Sequence, residues 1–215
     1  MPTLYGVDGS PFVRKVRVLC AEKKIAHDHE AVIPFNPPAE FRKVSPLGKI
    51  PAWRDGDKVL ADSSVICAYL ERTHPEPRMY PADPYEYARA LWFEEWADGG
   101  FVTIVGPKIF LQRIINPRFF QKECDESAVQ KAIAEDLPTY FDYLESQLGG
   151  DWLVGKSFSI ADIAVGSQFV NLAHAGVGVD AKRWPKLAKY VARVHSRPSF
   201  KEYIDKERAQ LGIAA

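Results

Sequence analysis

Two short runs hold the residue types best placed for chemistry. Asp62-Ser63-Ser64 stands at the head of an apolar helical pattern. There, unpaired N–H groups and the helix dipole favour an anion. The run Ser45-Pro46-Leu47-Gly48-Lys49-Ile50-Pro51-Ala52-Trp53 delivers a proline to the start of a short strand and leaves main chain beside it. Between them, Arg54-Asp55-Gly56-Asp57-Lys58 reads as a tight hairpin, because Asp-Gly tolerates the positive φ such turns need. The hairpin brings the two runs together, and the pair suits a small peptide bearing a carboxylate. A third candidate, Ser10, precedes Pro11 where an N-cap and a first helical residue belong.

The elements that must hold these residues follow from periodicity. An apolar run over 3–7 predicts a strand, and a helix runs from Pro11 to about Lys24 with Val13, Val16, Leu19 and Cys20 on one stripe. Residues 28–33 alternate like a half-buried strand, and 39–44 suit one irregular helical turn. Strands near 51–54 and 58–61 precede a helix over 63–73. The order is a βαβ unit followed by a ββα unit on one mixed sheet. Pro75, Pro77, Pro81 and Pro84 then punctuate the chain. The expected organisation is a first domain over 1–77, a linker over 78–84 and an all-helical domain over 85–215. Pro107 and Pro138 sit inside helical patterns and should kink or divide them, whereas Pro185 and Pro198 sit at helix starts. Ser159 and Asp162 have capping-box spacing, with Phe158 and Ile163 spaced as a hydrophobic staple.

Composition narrows the classes. Of 215 residues, 47% are hydrophobic and 12% aromatic, ample for packed cores and against disorder. Lys+Arg and Asp+Glu each number 28, so no basic excess recommends nucleic acid or an anionic membrane. No apolar run approaches the ~20 residues of a membrane span, and Met1-Pro2-Thr3-Leu4-Tyr5 lacks the build of a signal peptide. Cys20, Cys67 and Cys124 are odd in number and far apart, without a Cys-x-x-Cys, which fits a reducing cytoplasm.

Ser10-Pro11 opening the first helix, Lys49-Ile50-Pro51 with Asp62-Ser63, and Ser159-Ile160-Ala161-Asp162 in an all-helical second half occur in an order that resembles the cytosolic glutathione S-transferase superfamily. The likeness covers essentially the whole chain. It implies a thioredoxin-like domain followed by a helical one, and a homodimer with glutathione as co-substrate and no tightly bound cofactor. It also implies that Pro51 is cis, with the Ile50 main chain facing the cysteinyl backbone; an ordinary trans proline on an edge strand is the alternative. Asp62 and Ser63 would take the γ-glutamyl end, although either also serves as a plain cap. Lys49 would reach the glycine carboxylate or remain a solvated lysine. Ser10 would keep the glutathione sulfur as thiolate, where a free thiol has pKa ~8.5; otherwise it is simply the N-cap. Tyr5 is the rival for that task. Arg14 adds positive potential or lies on a solvated face.

Ser10 stands where redox classes of the superfamily carry cysteine, which argues against thiol transfer and dehydroascorbate reduction. The opening Ser-Pro-Phe-Val-Arg-Lys is similar to serine-type plant and bacterial members. The expected activity is transfer of glutathione to a small apolar electrophile, with Phe12 and Trp96 lining its pocket. The alternatives are isomerase, peroxidase or dehalogenase chemistry on the same site, or a non-catalytic protein-interaction module. His27-x-His29 has no further ligands close in sequence and reads as exposed histidines, so no metal is expected. Trp92, Phe93 and Trp96 read as an aromatic core stripe on one helix.

Overall fold

The N-terminal apolar run forms β1 (Thr3–Tyr5) in the computed structural model, which describes residues 1–213. The strand is shorter than the predicted 3–7 because Gly6, at φ +149°, turns the chain away. A Cβ on Gly6 would lie 2.4 Å from Val13 Cγ2, so the turn also needs glycine for space. Next come α1 (Pro11–Glu22) and β2 (Asp28–Glu30), then a tight 3₁₀ turn at Ala39–Lys43. β3 (Ala52–Asp55), β4 (Lys58–Ala61) and α2 (Ser63–Thr73) complete the unit. β2 ends three residues before the predicted strand does, and Val32 turns into a cluster with Phe41, Val44 and Ala52.

The sheet order is β2-β1-β3-β4, with β1 parallel to β2 and antiparallel to β3, and β3 antiparallel to β4. Asp55 pairs with Lys58 across a two-residue turn in which Gly56 has φ +59°. Ala52 pairs with Tyr5 on one side and Ala61 on the other. The ends of β1 and β4 therefore meet the start of β3 at one edge of the sheet. α1 and α2 each follow one of the two strands that end there, so both helices begin at that edge. Leu4, Val16, Leu19, Cys20, Ile66 and Leu70 are buried as the unit's core.

The chain divides into two compact units between Tyr80 and Pro81, inside the stretch expected as a linker. Met79 and Tyr80 are buried, and both N–H groups donate to the Glu71 carboxylate. Lys23 pairs with that carboxylate at 2.7 Å and donates to the His74 and Pro77 carbonyls, each also at 2.7 Å.

The described residues of the second unit form helices and the loops that connect them, with no strand among them; 214–215, the end of the expected domain, lie outside them. α3 (Pro84–Glu95) is capped by Asp83. It continues through widely wound stretches, Trp96–Phe101 and Val105–Phe120, on either side of α4 (Val102–Ile104). Pro107 lies in the second of these, where wide winding absorbs the hydrogen bond the proline cannot make. Then follow α5 (Glu126–Lys131), α6 (Leu137–Gln147), α7 (Ile160–His174), α8 (Pro185–His195) and α9 (Pro198–Leu211). Pro138 lies inside the continuous helical run from Glu126 to Gln147, directly after a widened stretch at Ala132–Asp136 that divides the run, as an interior proline should. Pro185 and Pro198 open α8 and α9. α7 is buried on nearly every side, as an all-round apolar helix must be. At its start Asp162 accepts from Ser159 N at 2.9 Å, Leu153 N at 3.0 Å and the Tyr190 hydroxyl at 3.1 Å. Phe158 and Ile163 are both buried beside it.

Candidate functional site

The edge where both helices begin gathers the candidate residues of the first unit. Ser10 caps α1: its Oγ accepts from Val13 N at 3.4 Å and its carbonyl from Arg14 N at 3.0 Å. A hydroxyl that accepts at a cap keeps its own hydrogen for another acceptor. Arg17 of α1 pairs with Asp8, fixing the loop that leads to Ser10. The Ile50–Pro51 bond is cis. Gly6 sits between the two parts, because a Cβ there would lie 3.4 Å from Ile50 as well as against Val13. Behind Ile50, Gly48 has φ +67° and Ser45 donates to the Lys49 carbonyl at 2.7 Å, so the approach to Pro51 is a fixed turn. The Lys49 side chain is exposed.

Pro51 and the α2 start are joined directly, since Asp62 N donates to the Pro51 carbonyl at 3.3 Å. Asp62 is a non-glycine residue at φ +80°, a conformation that costs of order 1–3 kcal/mol and tends to mark functional positions. Its carboxylate accepts from Ser64 N at 2.9 Å and Val65 N at 3.3 Å. Ser63 is buried at the first position of α2, and Ser64 is half-buried beside it. Lys15 of α1 donates from Nζ to Ser64 Oγ at 2.9 Å, with its side chain wholly buried. Sequence reasoning missed Lys15 and left Arg14 open between added positive potential and a solvated face; Arg14 is only 1% exposed, which removes the second of these. The available signal was Val18, which shares the face of 14 and 15 at helical spacing and is itself buried.

The remaining candidates fall elsewhere. Tyr5 packs on Phe41 with ring centroids 6.1 Å apart and joins the Val32–Phe41–Val44 cluster. Phe12 is half-buried in the first turn of α1. Trp96 belongs to the second unit, where its ring meets Phe101, Tyr140 and Tyr143. In the expected core stripe Phe93 is buried, but Trp92 is 53% exposed and donates its indole N–H to the Tyr143 hydroxyl. The two histidines are half-buried, not exposed: His29 Nε2 meets the Gly6 carbonyl at 2.8 Å, and His27 lies against Trp53. No cluster of three metal-ligating side chains occurs among the described residues. Burial pushes the Cys20 thiol up to about 12, which leaves it a packing residue.

A four-stranded mixed sheet with two helix starts at one edge, followed by a helical unit, defines a thioredoxin-like fold joined to an all-α partner. The glutathione S-transferase N-terminal domain family matches residues 4–78, and the glutathione S-transferase C-terminal domain family matches 110–207. The chain belongs to the glutathione S-transferase superfamily. It is 31% identical to the GST-like protein YibF of Escherichia coli, covering 92% of this chain and 95% of that one. It is 26% identical to FtsZ-localized protein A of Caulobacter vibrioides, covering 93% and 89%. Among solved structures, a glutathione S-transferase from Rhodospirillum rubrum superposes with a TM-score of 0.86 at 26% identity, covering 94% and 91%. One from Methylobacterium radiotolerans, in complex with glutathione sulfonate, has a TM-score of 0.75 at 27% identity and covers 94% of each chain. No helix among the described residues is long and apolar enough to cross a membrane.

Proposed function

We propose that the protein is a glutathione transferase: it binds reduced glutathione at the sheet edge of its first unit and directs the thiolate at a small apolar electrophile. The observation that carries this reading is the convergence of both helix starts with Ile50–Pro51, tied by the hydrogen bond from Asp62 N to the Pro51 carbonyl. In this reading the Ile50 main chain pairs with the cysteinyl backbone. Ser63, at the start of α2, takes the γ-glutamyl carboxylate, while Asp62 balances the ammonium. Lys49, exposed on the adjoining turn, reaches the glycine carboxylate. The cysteine sulfur then meets Ser10.

Ser10 donates its O–H to the sulfur and favours the charged form, assisted by the positive end of α1. The thiol proton leaves to solvent, and the sulfur lone pair forms the bond to carbon. In substitution the leaving group departs to solvent with its bonding pair; in addition the π pair of the attacked bond moves to the neighbouring atom and takes up a proton. Ser10 stays unmodified. The packing of Tyr5 on Phe41 supports Ser10 over Tyr5 as the activating group. Phe12, next to Ser10 on α1, supplies an apolar surface for the electrophile.

The test is an ultraviolet difference spectrum on adding reduced glutathione near neutral pH, followed by turnover of an aromatic electrophile. The wild type is expected to show a thiolate band. Ser10→Ala should lose it and about 10²-fold in kcat/KM, the effect of removing one preorganised donor. A band unchanged in Ser10→Ala would remove Ser10 from this role. The similarity to FtsZ-localized protein A favours a second reading, an assembly module on the same fold. A folded wild type with neither band nor turnover would select it.

A further inference from the structure

Lys15 is buried without exposure, and its Nζ reaches across from α1 to the Ser64 hydroxyl oxygen at the start of α2. Burying an ammonium is costly, so a lysine in this position needs strong acceptors around it. A serine hydroxyl has one donor and two acceptor positions. With an ammonium donating to its oxygen and its own N–H held by the Asp62 carboxylate, Ser64 is fixed as an acceptor toward Lys15. Its remaining hydrogen must be donated away from Lys15. A hydroxyl that accepts from a cation becomes a better donor in turn, because linked hydrogen bonds polarise one another. Ser64 is half-buried and lies in the first turn of α2, beside Ser63, where a carboxylate would meet the helix N-terminus.

Building on the proposed glutathione site, we propose that Lys15 is a positioning residue and Ser64 a specificity-determining donor for the γ-glutamyl carboxylate. Lys15 does not touch the peptide. It orients Ser64 so that the hydroxyl donates to the carboxylate held by Ser63, and its charge makes that donation stronger. Recognition of the γ-glutamyl end then depends on α1 as well as α2, through one buried ammonium. The cysteinyl and glycyl ends, which meet Ile50 and Lys49, are independent of the pair.

The test compares dissociation constants for glutathione and for cysteinylglycine, which lacks the γ-glutamyl group, in the wild type, Lys15→Met, Lys15→Arg and Ser64→Ala. The proposal expects the wild type to prefer glutathione. Lys15→Met and Ser64→Ala should each weaken glutathione about tenfold, the scale of one hydrogen bond to a charged group, and leave cysteinylglycine within about twofold. Lys15→Arg should restore most of the preference, since it keeps a cationic donor. Equal weakening of both ligands would show a merely structural role and overturn the proposal, as would an unchanged preference. Should Lys15→Met fail to fold by circular dichroism, Ser64→Ala decides alone: full discrimination retained there overturns the proposal. A folded wild type that binds neither ligand overturns the glutathione reading itself, and this inference with it.

Discussion

At the scale of single residues, Ser10 and Asp62 each carry a local task and, in the function proposed above, a chemical one. Ser10 caps α1 through its oxygen, which leaves its hydrogen for a ligand. Asp62 caps α2 from a left-handed backbone, a strained arrangement that α2 alone does not require. Ser63 is the cleaner probe of binding, because it contributes no cap. Ser63→Ala is expected to raise KM for glutathione about tenfold with kcat nearly unchanged, the mark of binding lost equally in ground and transition states; steady-state kinetics with varied glutathione checks this. These residue types were legible in the sequence because each stands at a helix start with its own spacing signature. Lys15 was harder to read, since Val18 marks its face as apolar but the partner it meets, Ser64, lies on a neighbouring helix that no local pattern announces.

At the scale of elements, the start of α7 shows how one carboxylate governs a helix. Burial pushes the Asp162 carboxyl up to about 6 from an ordinary value near 3.8, against the pull of its hydrogen bonds from Leu153, Ser159 and Tyr190. The folded chain therefore keeps a proton that the unfolded chain releases between about pH 4 and 6. The group's contribution to stability is fully present below that window, declines as pH rises through it, and is flat above. The decline is worth about 3 kcal/mol. Urea unfolding at intervals across pH 4–7 should show it, and Asp162→Asn should remove it; an identical pH slope in both proteins would contradict the assignment. The capping box that places Asp162 could be read directly from Ser159 and Asp162, and the proline starts of α8 and α9 likewise. The wide winding around Pro107 could not, because the sequence states only that a hydrogen bond is missing and not how the turn rearranges. β2 was overextended for a related reason: Val32 alternates correctly but belongs to the cluster with Phe41.

At the scale of the whole molecule, two units of different character follow from where the sequence switches from period-two runs to helical periodicity. That switch, and the prolines around it, made the class of fold legible before any contact was known. Association between copies is an expectation that only the resemblance to the superfamily carries. The homodimer expected from that resemblance would give twice the chain mass in sedimentation equilibrium; a monomer that turns over glutathione would separate activity from assembly. The tie between Lys23, Glu71 and the 74–80 segment has a kinetic consequence. Amide hydrogens in a connecting segment ordinarily exchange with solvent as fast as the segment frays, but those of Met79 and Tyr80 are held by a carboxylate that is itself paired with a buried ammonium. In deuterium exchange they should persist with the amides of α1 and α2 and not with those of the 34–38 loop. The first unit thus closes its own chain end, and fraying that starts beyond residue 81 need not unravel α2.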